Sequence, residues 1–153
     1  VRQLDSQRLV TASSGGDINK KDLRKYLSDV QVDFICPHRG RSKDMPETTE
    51  AKTREYLAWM KELGRTVPVH YQEPFRRGYD PRHWEPSAAD FITDLRGALN
   101  GGAAGWCFHN RDQRDKPVKI PTRSFDLRQQ RLFEQFDHEE RIFLDALPQI
   151  LQP

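Results

Sequence analysis

The stretch with the clearest chemical potential is an apolar run that ends on one acidic residue. Residues 67–72 read VPVHYQ, Glu73 follows them, and Pro74 and two arginines come next. A carboxylate at the C-terminal end of a buried strand is costly to keep in a core and easy to explain in an active site. Glu73 is therefore the lead candidate for a catalytic residue. The structural alternative is a carboxylate paired with Arg76 or Arg77 where the loop begins.

Neighbouring runs supply side chains suited to substrate binding. The candidates are His38, Tyr71, Trp84, Trp106 and His109. The two histidines end β-prone runs, and each suits a hydrogen bond to a substrate hydroxyl or to Glu73. Trp106 and Trp84 offer flat apolar faces, and the Tyr71 hydroxyl lies close to Glu73 in sequence. Solvation of the histidines and core packing of the aromatic residues are the alternatives.

Metal binding is a second chemistry open to residues at strand ends. Imidazole and carboxylate groups suit zinc and related ions, and four such residues are His38, His70, Glu73 and His109. If strand alternation directs Glu73 inward, His70 points away and three ligands remain. We therefore expect no metal and no cofactor. A metal-dependent hydrolase or isomerase stays as an alternative.

The elements that must position these residues alternate along the chain. The β-prone runs cover residues 8–13, 32–38, 67–72 and 103–109. Apolar residues at three- and four-residue spacing predict helices at 20–30, 50–63 and 87–99, and two more within 124–151 that meet near Asp137. The expected N-caps are Asn19, Thr48 or Thr49, and Ser87.

This alternation predicts parallel strands joined by right-handed crossovers. We therefore expect the C-terminal ends of the strands to bring Ser13, His38, Glu73 and His109 together. Alternation along the third strand predicts that Val67, Val69 and Tyr71 share the inward face of Glu73. It also turns His70 and Gln72 towards the helices.

Length and composition suggest how many units the fold contains. A closed (β/α)8 barrel takes about 250 residues, so four βα units in 153 residues match half of one. The content of 35% apolar and 31% charged residues is low for a self-sufficient core, and the chain starts at Val1 rather than Met. We therefore expect an α/β fold: residues 1–153 as one partial domain, a parallel four-strand βα array forming the C-terminal half of such a barrel. A four-unit open α/β sheet is the alternative.

Charge and hydropathy exclude some partners. The net charge is +2, with 25 basic and 23 acidic residues mixed along the chain, so we expect no nucleic-acid partner. No apolar run is long enough to span a bilayer, so we expect no membrane partner. Because we expect the N-terminal half to be missing, we make no prediction of localisation. The two cysteines fall on the second and fourth runs, too far apart for a disulfide if the third strand lies between them. We expect buried thiols.

Residues 67–77, together with residues 104–106, resemble the C-terminal half of retaining glycoside hydrolases built on (β/α)8 barrels. That clan includes many cellulases and mannanases. The resemblance implies a nucleophilic glutamate at the end of strand seven and a tryptophan platform for the sugar near the end of strand eight. Glu73 and Trp106 match these positions if the four strands are numbers five to eight.

The same resemblance offers another position for Glu73. Residues 72–74 are similar to the Asn-Glu-Pro tripeptide that carries the clan's acid/base glutamate on strand four. Four more units should follow strand four, whereas one strand with its helices follows Glu73, which favours strand seven. The acid/base residue is then expected before Val1, in a missing N-terminal half of the barrel, and the chain alone is expected to be inactive. The expected substrate is a β-linked oligo- or polysaccharide, cleaved with retention. A non-catalytic carbohydrate-binding barrel is the alternative.

Overall fold

Short strands and longer helices alternate in the computed structural model, which describes residues 3–109, 125–128 and 130–152. The strands are β1 (Ser13–Ser14), β2 (Cys36–Pro37), β3 (His70–Tyr71) and β4 (Gly105–Trp106). The helices are α1 (Lys20–Lys25), α2 (Met45–Glu62), α3 (Ala88–Gly101) and α4 (His138–Ile150). A π-helical turn at Tyr26–Val30 continues α1, and a 3-10 turn at Leu132–Glu134 precedes α4.

The four-strand parallel array predicted from the sequence is not formed, so the assignment to the C-terminal half of a (β/α)8 barrel is wrong. Within the described ranges, β1 pairs with β2 and β3 with β4 as two separate two-stranded parallel sheets. A single pair of residues, Ile35 and Val69, forms an isolated parallel bridge that links the two sheets. The described residues form a small mixed α/β domain with two short sheets.

The strands are shorter than predicted because other groups replace the ladder bonds. Pro37 and Pro68 have no backbone N–H to donate. Beside β1, the backbone N–H of Val10 donates to Asp33 Oδ2 at 2.7 Å. The Thr11 hydroxyl donates to the backbone carbonyl oxygen of Phe34 at 2.7 Å. Side-chain bonds of this kind compete with regular pairing beside β1 and β2.

Two of the predicted helix starts are confirmed. Asn19 caps α1, and its side-chain oxygen accepts the backbone N–H of Asp22 at 2.9 Å. Ser87 caps α3, and its backbone N–H donates to Asp90 Oδ2 at 2.7 Å. Both arrangements use donors that the first turn of a helix otherwise leaves unpaired.

The predicted start of α2 is wrong. The helix begins earlier, with Asp44 as the N-cap and Pro46 in the first turn, where a missing N–H costs nothing. Thr48 and Thr49 lie inside the helix, and the Thr48 hydroxyl donates back to the Met45 carbonyl at 3.0 Å. Of the helices in the described part of the chain, none combines the length and apolar character needed to cross a membrane.

The predicted helix before Asp137 is also wrong over residues 125–128 and 130–137, which form turns and the short 3-10 turn. Positions 124 and 129 lie outside the described residues. The Gln135 side chain closes this segment by accepting the Asp126 N–H at 2.6 Å. Asp137 then caps α4, with its carboxylate accepting the Glu140 N–H at 3.0 Å.

Two hydrophobic clusters form the core. The first lies between the strands and helices α1, α2 and α3, and its buried members are Ile18, Leu23, Leu27, Val32, Ile35, Tyr56, Met60, Val67, Val69, Tyr71 and Ala98. The second joins the segment after β3 to α3 and α4, through Phe75, Ala88, Phe91, Leu95 and Phe143. Trp106 is partly buried against both clusters.

The predicted orientation of the third strand is reversed. Val67, Val69 and Tyr71 face the helices and belong to the first cluster. His70 is on the opposite face, where its ring packs edge-on against Phe34. The chain bends at residues 72–73, so strand alternation does not extend to Glu73.

Candidate active site at Glu73

The C-terminal ends of the strands bring four polar residues together. Ser13 lies in β1, and His38, Glu73 and His109 follow β2, β3 and β4. The Ser13 hydroxyl is 2.7 Å from His38 Nε2. Glu73 Oε2 is 3.6 Å from His38 Nδ1 and 3.8 Å from His109 Nε2. The gathering of these four residues, predicted from the parallel order, is therefore found in the structure.

The Glu73 carboxylate is held by a guanidinium from another loop. Arg41 Nη2 donates to Glu73 Oε2 at 3.1 Å. The sequence instead suggested Arg76 or Arg77 as a partner. Arg77 pairs with Asp137 at 2.6 Å, and Arg76 donates to His109. The Arg41 guanidinium therefore holds the carboxylate in a defined orientation.

A strained residue fixes the loop that carries His38 and Arg41. Arg39 has a φ of 53°, in the left-handed region that non-glycine residues rarely adopt. Its buried guanidinium donates to both carboxylate oxygens of Asp17, at 2.8 and 2.9 Å, and to Thr48 Oγ1 at 2.7 Å. This anchoring holds the chain reversal at Arg39, so that His38 and Arg41 both reach Glu73.

His109 is held in its neutral form. Arg76 Nη1 lies 2.8 Å from His109 Nε2. Because a guanidinium can only donate, Nε2 must accept, and the ring proton resides on Nδ1. Burial and the nearby charge of Arg76 lower the pKa of His109 to about 4. Glu73 therefore faces one fixed cation, Arg41, and a neutral imidazole.

Two of the predicted binding residues lie away from this cluster. The Trp106 indole N–H donates to Asp94 Oδ2 at 2.6 Å, and its ring packs against Phe143 with centroids 5.5 Å apart. The Tyr71 hydroxyl bonds to Thr53 Oγ1 at 2.7 Å, and burial raises the pKa of Tyr71 to about 12. Both side chains serve the packing of α2 and α3 against the strands.

Trp84, in contrast, lines a cavity that adjoins the cluster. The cavity has a volume of about 220 Å³. Its lining residues are Arg41, Ser42, Lys43, Phe75, Arg76, Tyr79, Asp80, His83 and Trp84. We call it the Arg41–Arg76 cavity, because Arg41 also holds Glu73 and Arg76 also holds His109. The Trp84 ring packs on Phe75 with centroids 4.9 Å apart, which fixes one wall.

The cluster is poorly suited to a metal ion. Over the described ranges, no group of three or more histidine, cysteine or acidic residues has the geometry to hold one. The donors explain this result, since Arg76 occupies His109 Nε2 and Arg41 occupies Glu73 Oε2. The fourth candidate ligand, His70, lies elsewhere, between the thiols of Cys36 at 3.9 Å and Cys107 at 3.6 Å.

The two cysteines are free thiols, with Cys36 buried and Cys107 partly buried. The His70 ring between them keeps the sulfur atoms apart, as its contacts on opposite nitrogens require. Burial raises the pKa of Cys36, so its thiol is stabilised in the protonated form.

Comparison of the chain with protein-family models, curated proteins and solved structures finds no match. The site must therefore be interpreted from its own geometry. Sequence reasoning missed the pairing of Arg41 with Glu73 and of Arg76 with His109, and it missed Tyr79. The available signals were the arginines that follow His38 and Glu73, in each case within three residues.

Proposed function

We propose that the protein is a retaining glycoside hydrolase in which Glu73 is the nucleophile. The observation that supports this best is the environment of the Glu73 carboxylate. It lies at the end of β3, its Oε2 accepts from Arg41 at 3.1 Å, and the side chain is 32% exposed and so open to a substrate. A carboxylate that is oriented and accessible is placed for attack on an anomeric carbon.

In this mechanism Glu73 forms a covalent bond to the sugar as the leaving group departs, and water then releases the sugar. A second carboxyl group, about 5–5.5 Å from the nucleophile, protonates the leaving oxygen. Among the described residues, no hydrogen bond or ion pair brings a second carboxylate to Glu73. The test must therefore use substrates whose leaving group departs without protonation.

The histidines have supporting roles in this proposal. Ser13 orients the His38 ring through Nε2, which leaves Nδ1 directed at Glu73. His109 stays neutral beside Arg76, so it adds no charge next to the nucleophile. Both rings can offer hydrogen bonds to sugar hydroxyls beside the reacting carbon.

The experiment uses activated 2-deoxy-2-fluoro-β-glycosides with a dinitrophenolate leaving group, on the protein expressed from its complete open reading frame. The fluorine slows release of the glycosyl-enzyme, so peptide mass spectrometry should find the sugar on Glu73. Glu73→Gln keeps the shape of the side chain and removes the nucleophile, so labelling should be lost. Glu62→Gln is the matched control, because Glu62 is 59% exposed and pairs with Lys20 on the surface.

Three results would count against the proposal. Labelling at another carboxylate would assign the nucleophile elsewhere. Sugar binding without any labelling, across gluco-, manno- and galacto-configured reagents, would favour the non-catalytic carbohydrate-binding protein. Activity that chelators remove would instead favour the metal-dependent hydrolase or isomerase.

One observation favours a second candidate, a serine hydrolase. Ser13 Oγ and Glu73 Oε2 lie near opposite nitrogens of His38, which is the order of a nucleophile, a base and an orienting acid. The 3.6 Å separation on the Glu73 side is too long for a hydrogen bond, and Arg41 already binds that oxygen. A fluorophosphonate reagent distinguishes the two candidates, because it should label Ser13 if the serine hydrolase is correct and should fail if Glu73 is the nucleophile.

A further inference from the structure

The charge of the Arg41–Arg76 cavity gives information about the substrate. Its lining includes three side chains with a fixed positive charge, Arg41, Lys43 and Arg76, and one carboxylate, Asp80. Asp80 already accepts from His83 Nδ1, at 2.8 Å. Among the described residues that line it, the positive charges exceed the negative ones even when Glu73 is counted with the cavity. A cavity of this kind attracts an anion.

Both guanidiniums contact the same aromatic ring, that of Tyr79. Arg41 Cζ and Arg76 Cζ each lie 4.8 Å from the centroid of the Tyr79 ring. Cation–π contacts of this kind stabilise both charges and fix their planes. Arg41 is further anchored on Glu73, and Arg76 on His109. The pair is therefore ordered before any ligand arrives, which lowers the cost of binding.

The size of the cavity limits the ligand. Pockets for drug-sized molecules measure about 300–1,000 Å³, and this one has about 220 Å³. It suits one sugar unit or its substituent rather than a long stretch of polymer. Guanidinium groups present paired N–H donors that match a carboxylate or a related oxyanion. The flat ring of Trp84 suits the apolar face of a pyranose.

We propose that the Arg41–Arg76 cavity binds the anionic substituent of an acidic sugar, so that the substrate is a glycan containing uronic acid or sulfated units. This inference rests on the proposed glycosidase function, because the cavity acts here as the specificity pocket beside Glu73. A carboxylate at C6 of the sugar and a sulfate ester share the same recognition by guanidinium, and the experiment separates them.

Binding is measured by titration calorimetry with sulfur-linked glycosides, which resist hydrolysis. The probes are methyl 1-thio-β-D-glucuronide, its 6-O-sulfated glucoside counterpart and the neutral methyl 1-thio-β-D-glucoside. We expect one of the two anionic probes to bind about tenfold more tightly than the neutral one, with a preference that declines as salt is added. The anionic probe that binds more tightly shows whether the cavity prefers a carboxylate or a sulfate ester.

Two variants locate the binding at the cavity. Lys43→Gln alters an exposed side chain, so folding should be preserved, and it should weaken the anionic probe about two- to fivefold. Arg76→Lys keeps the charge but loses the planar fork, and it should weaken the same probe by about tenfold. Lys43→Gln should not change the affinity of the neutral probe. Lys61→Gln, at an exposed position near the end of α2, is the control and should leave all affinities unchanged.

Equal binding of all three probes, or an unchanged anionic preference in both cavity variants, would overturn the inference. Labelling of Glu73 by a neutral fluorosugar with no anionic preference would retain the glycosidase and reject the acidic substrate. The reverse result, anionic preference without labelling of Glu73, would retain the cavity as an acidic-sugar site and reject the glycosidase.

Discussion

His109 differs from a surface histidine because its Nε2 accepts from a group that cannot lose its proton. Protonating the ring would place a second cation against Arg76 Nη1, which is 2.8 Å away, in a site where the imidazole is only 14% exposed. The same contact fixes which nitrogen faces Glu73. Charge and tautomer at the candidate site are therefore set by one hydrogen bond.

We predict that His109 titrates far below an ordinary histidine. Its pKa is lowered to about 4, so the ring signals in an NMR titration should move near that pH. A midpoint for His109 near 6.5 would show that Arg76 does not hold the neutral ring.

The lowered pKa of His109 should also affect the stability of the protein at acid pH. The unfolded chain binds the proton near pH 6.5 and the folded protein only near pH 4, so the stabilisation is complete above pH 6.5 and is lost as the pH falls towards 4. We expect a loss of roughly 1–3 kcal/mol in the free energy of unfolding over that interval. His109→Gln should reduce this dependence relative to the unchanged protein. Urea unfolding at several pH values measures both.

At the scale of elements, Asp94 joins α3 to two neighbours. Its carboxylate accepts from the Thr49 hydroxyl of α2 and from the Trp106 indole of β4. Burial raises the pKa of Asp94, although both hydrogen bonds act in the opposite direction. A buried acid with two donors from separate elements fixes their relative positions.

We predict that Asp94→Ala lowers the free energy of unfolding by about 1–3 kcal/mol, because the Trp106 N–H would lose its acceptor in a buried site. In a double-mutant cycle with Trp106→Phe, the second change should cost less once Asp94 is absent. The control is Asp145→Ala at an exposed position of α4, with an expected change within about 0.5 kcal/mol. Additive losses in the cycle would mean that the two side chains do not interact.

Helices α2 and α3 approach closely at two glycines of α3, Gly97 and Gly101. A Cβ added at Gly101 would lie 2.5 Å from Thr53 Cβ and 2.9 Å from the Glu50 carbonyl oxygen. Alanine ordinarily stabilises a helix relative to glycine by about 1 kcal/mol. Here the backbone must move instead, so we predict that Gly101→Ala destabilises the protein by about 1–3 kcal/mol. Thermal unfolding measures the change. Gly16→Ala, with no atom within 4 Å of the added Cβ, is the control.

The features that could be predicted from the sequence are those with local causes. Helices α1 and α3 follow from apolar spacing and from caps at Asn19 and Ser87, which depend on residues a few positions apart. The sheet depends on distant partners, and side-chain bonds such as that of Asp33 to the Val10 N–H replace regular pairing. Alternation also failed near Glu73, because the chain bends there.

In the candidate site, too, some contacts could be predicted from the sequence and others could not. Ser13, His38, Glu73 and His109 were predicted to meet because each lies at or after the end of a strand, and parallel strands end on the same side. Arg41 reaches Glu73 only because Arg39 adopts a φ of 53° and is anchored by Asp17, 22 residues earlier in the chain. Nothing in the spacing of these residues signals such a reversal.

At the scale of the whole molecule, α3 belongs to both hydrophobic clusters. Its residue Ala98 lies in the first cluster, and Phe91 and Leu95 lie in the second. Trp106 also contacts both clusters. Loss of either cluster therefore exposes a face of the other, and we expect the described core to unfold as one unit.

Phe143 provides the test of that cooperativity. The side chain is 1% exposed and packs on Phe91 and Trp106, so Phe143→Ala should lower the free energy of unfolding by about 3–5 kcal/mol. Its neighbour Ile142 is 41% exposed, and Ile142→Ala should change little in the same helix. If the clusters unfold together, tryptophan fluorescence and far-ultraviolet circular dichroism will give one urea midpoint for each protein, shifted in Phe143→Ala. An early fluorescence transition in that variant, with most helical signal retained, would mean that the second cluster unfolds alone and that α3 does not couple the two.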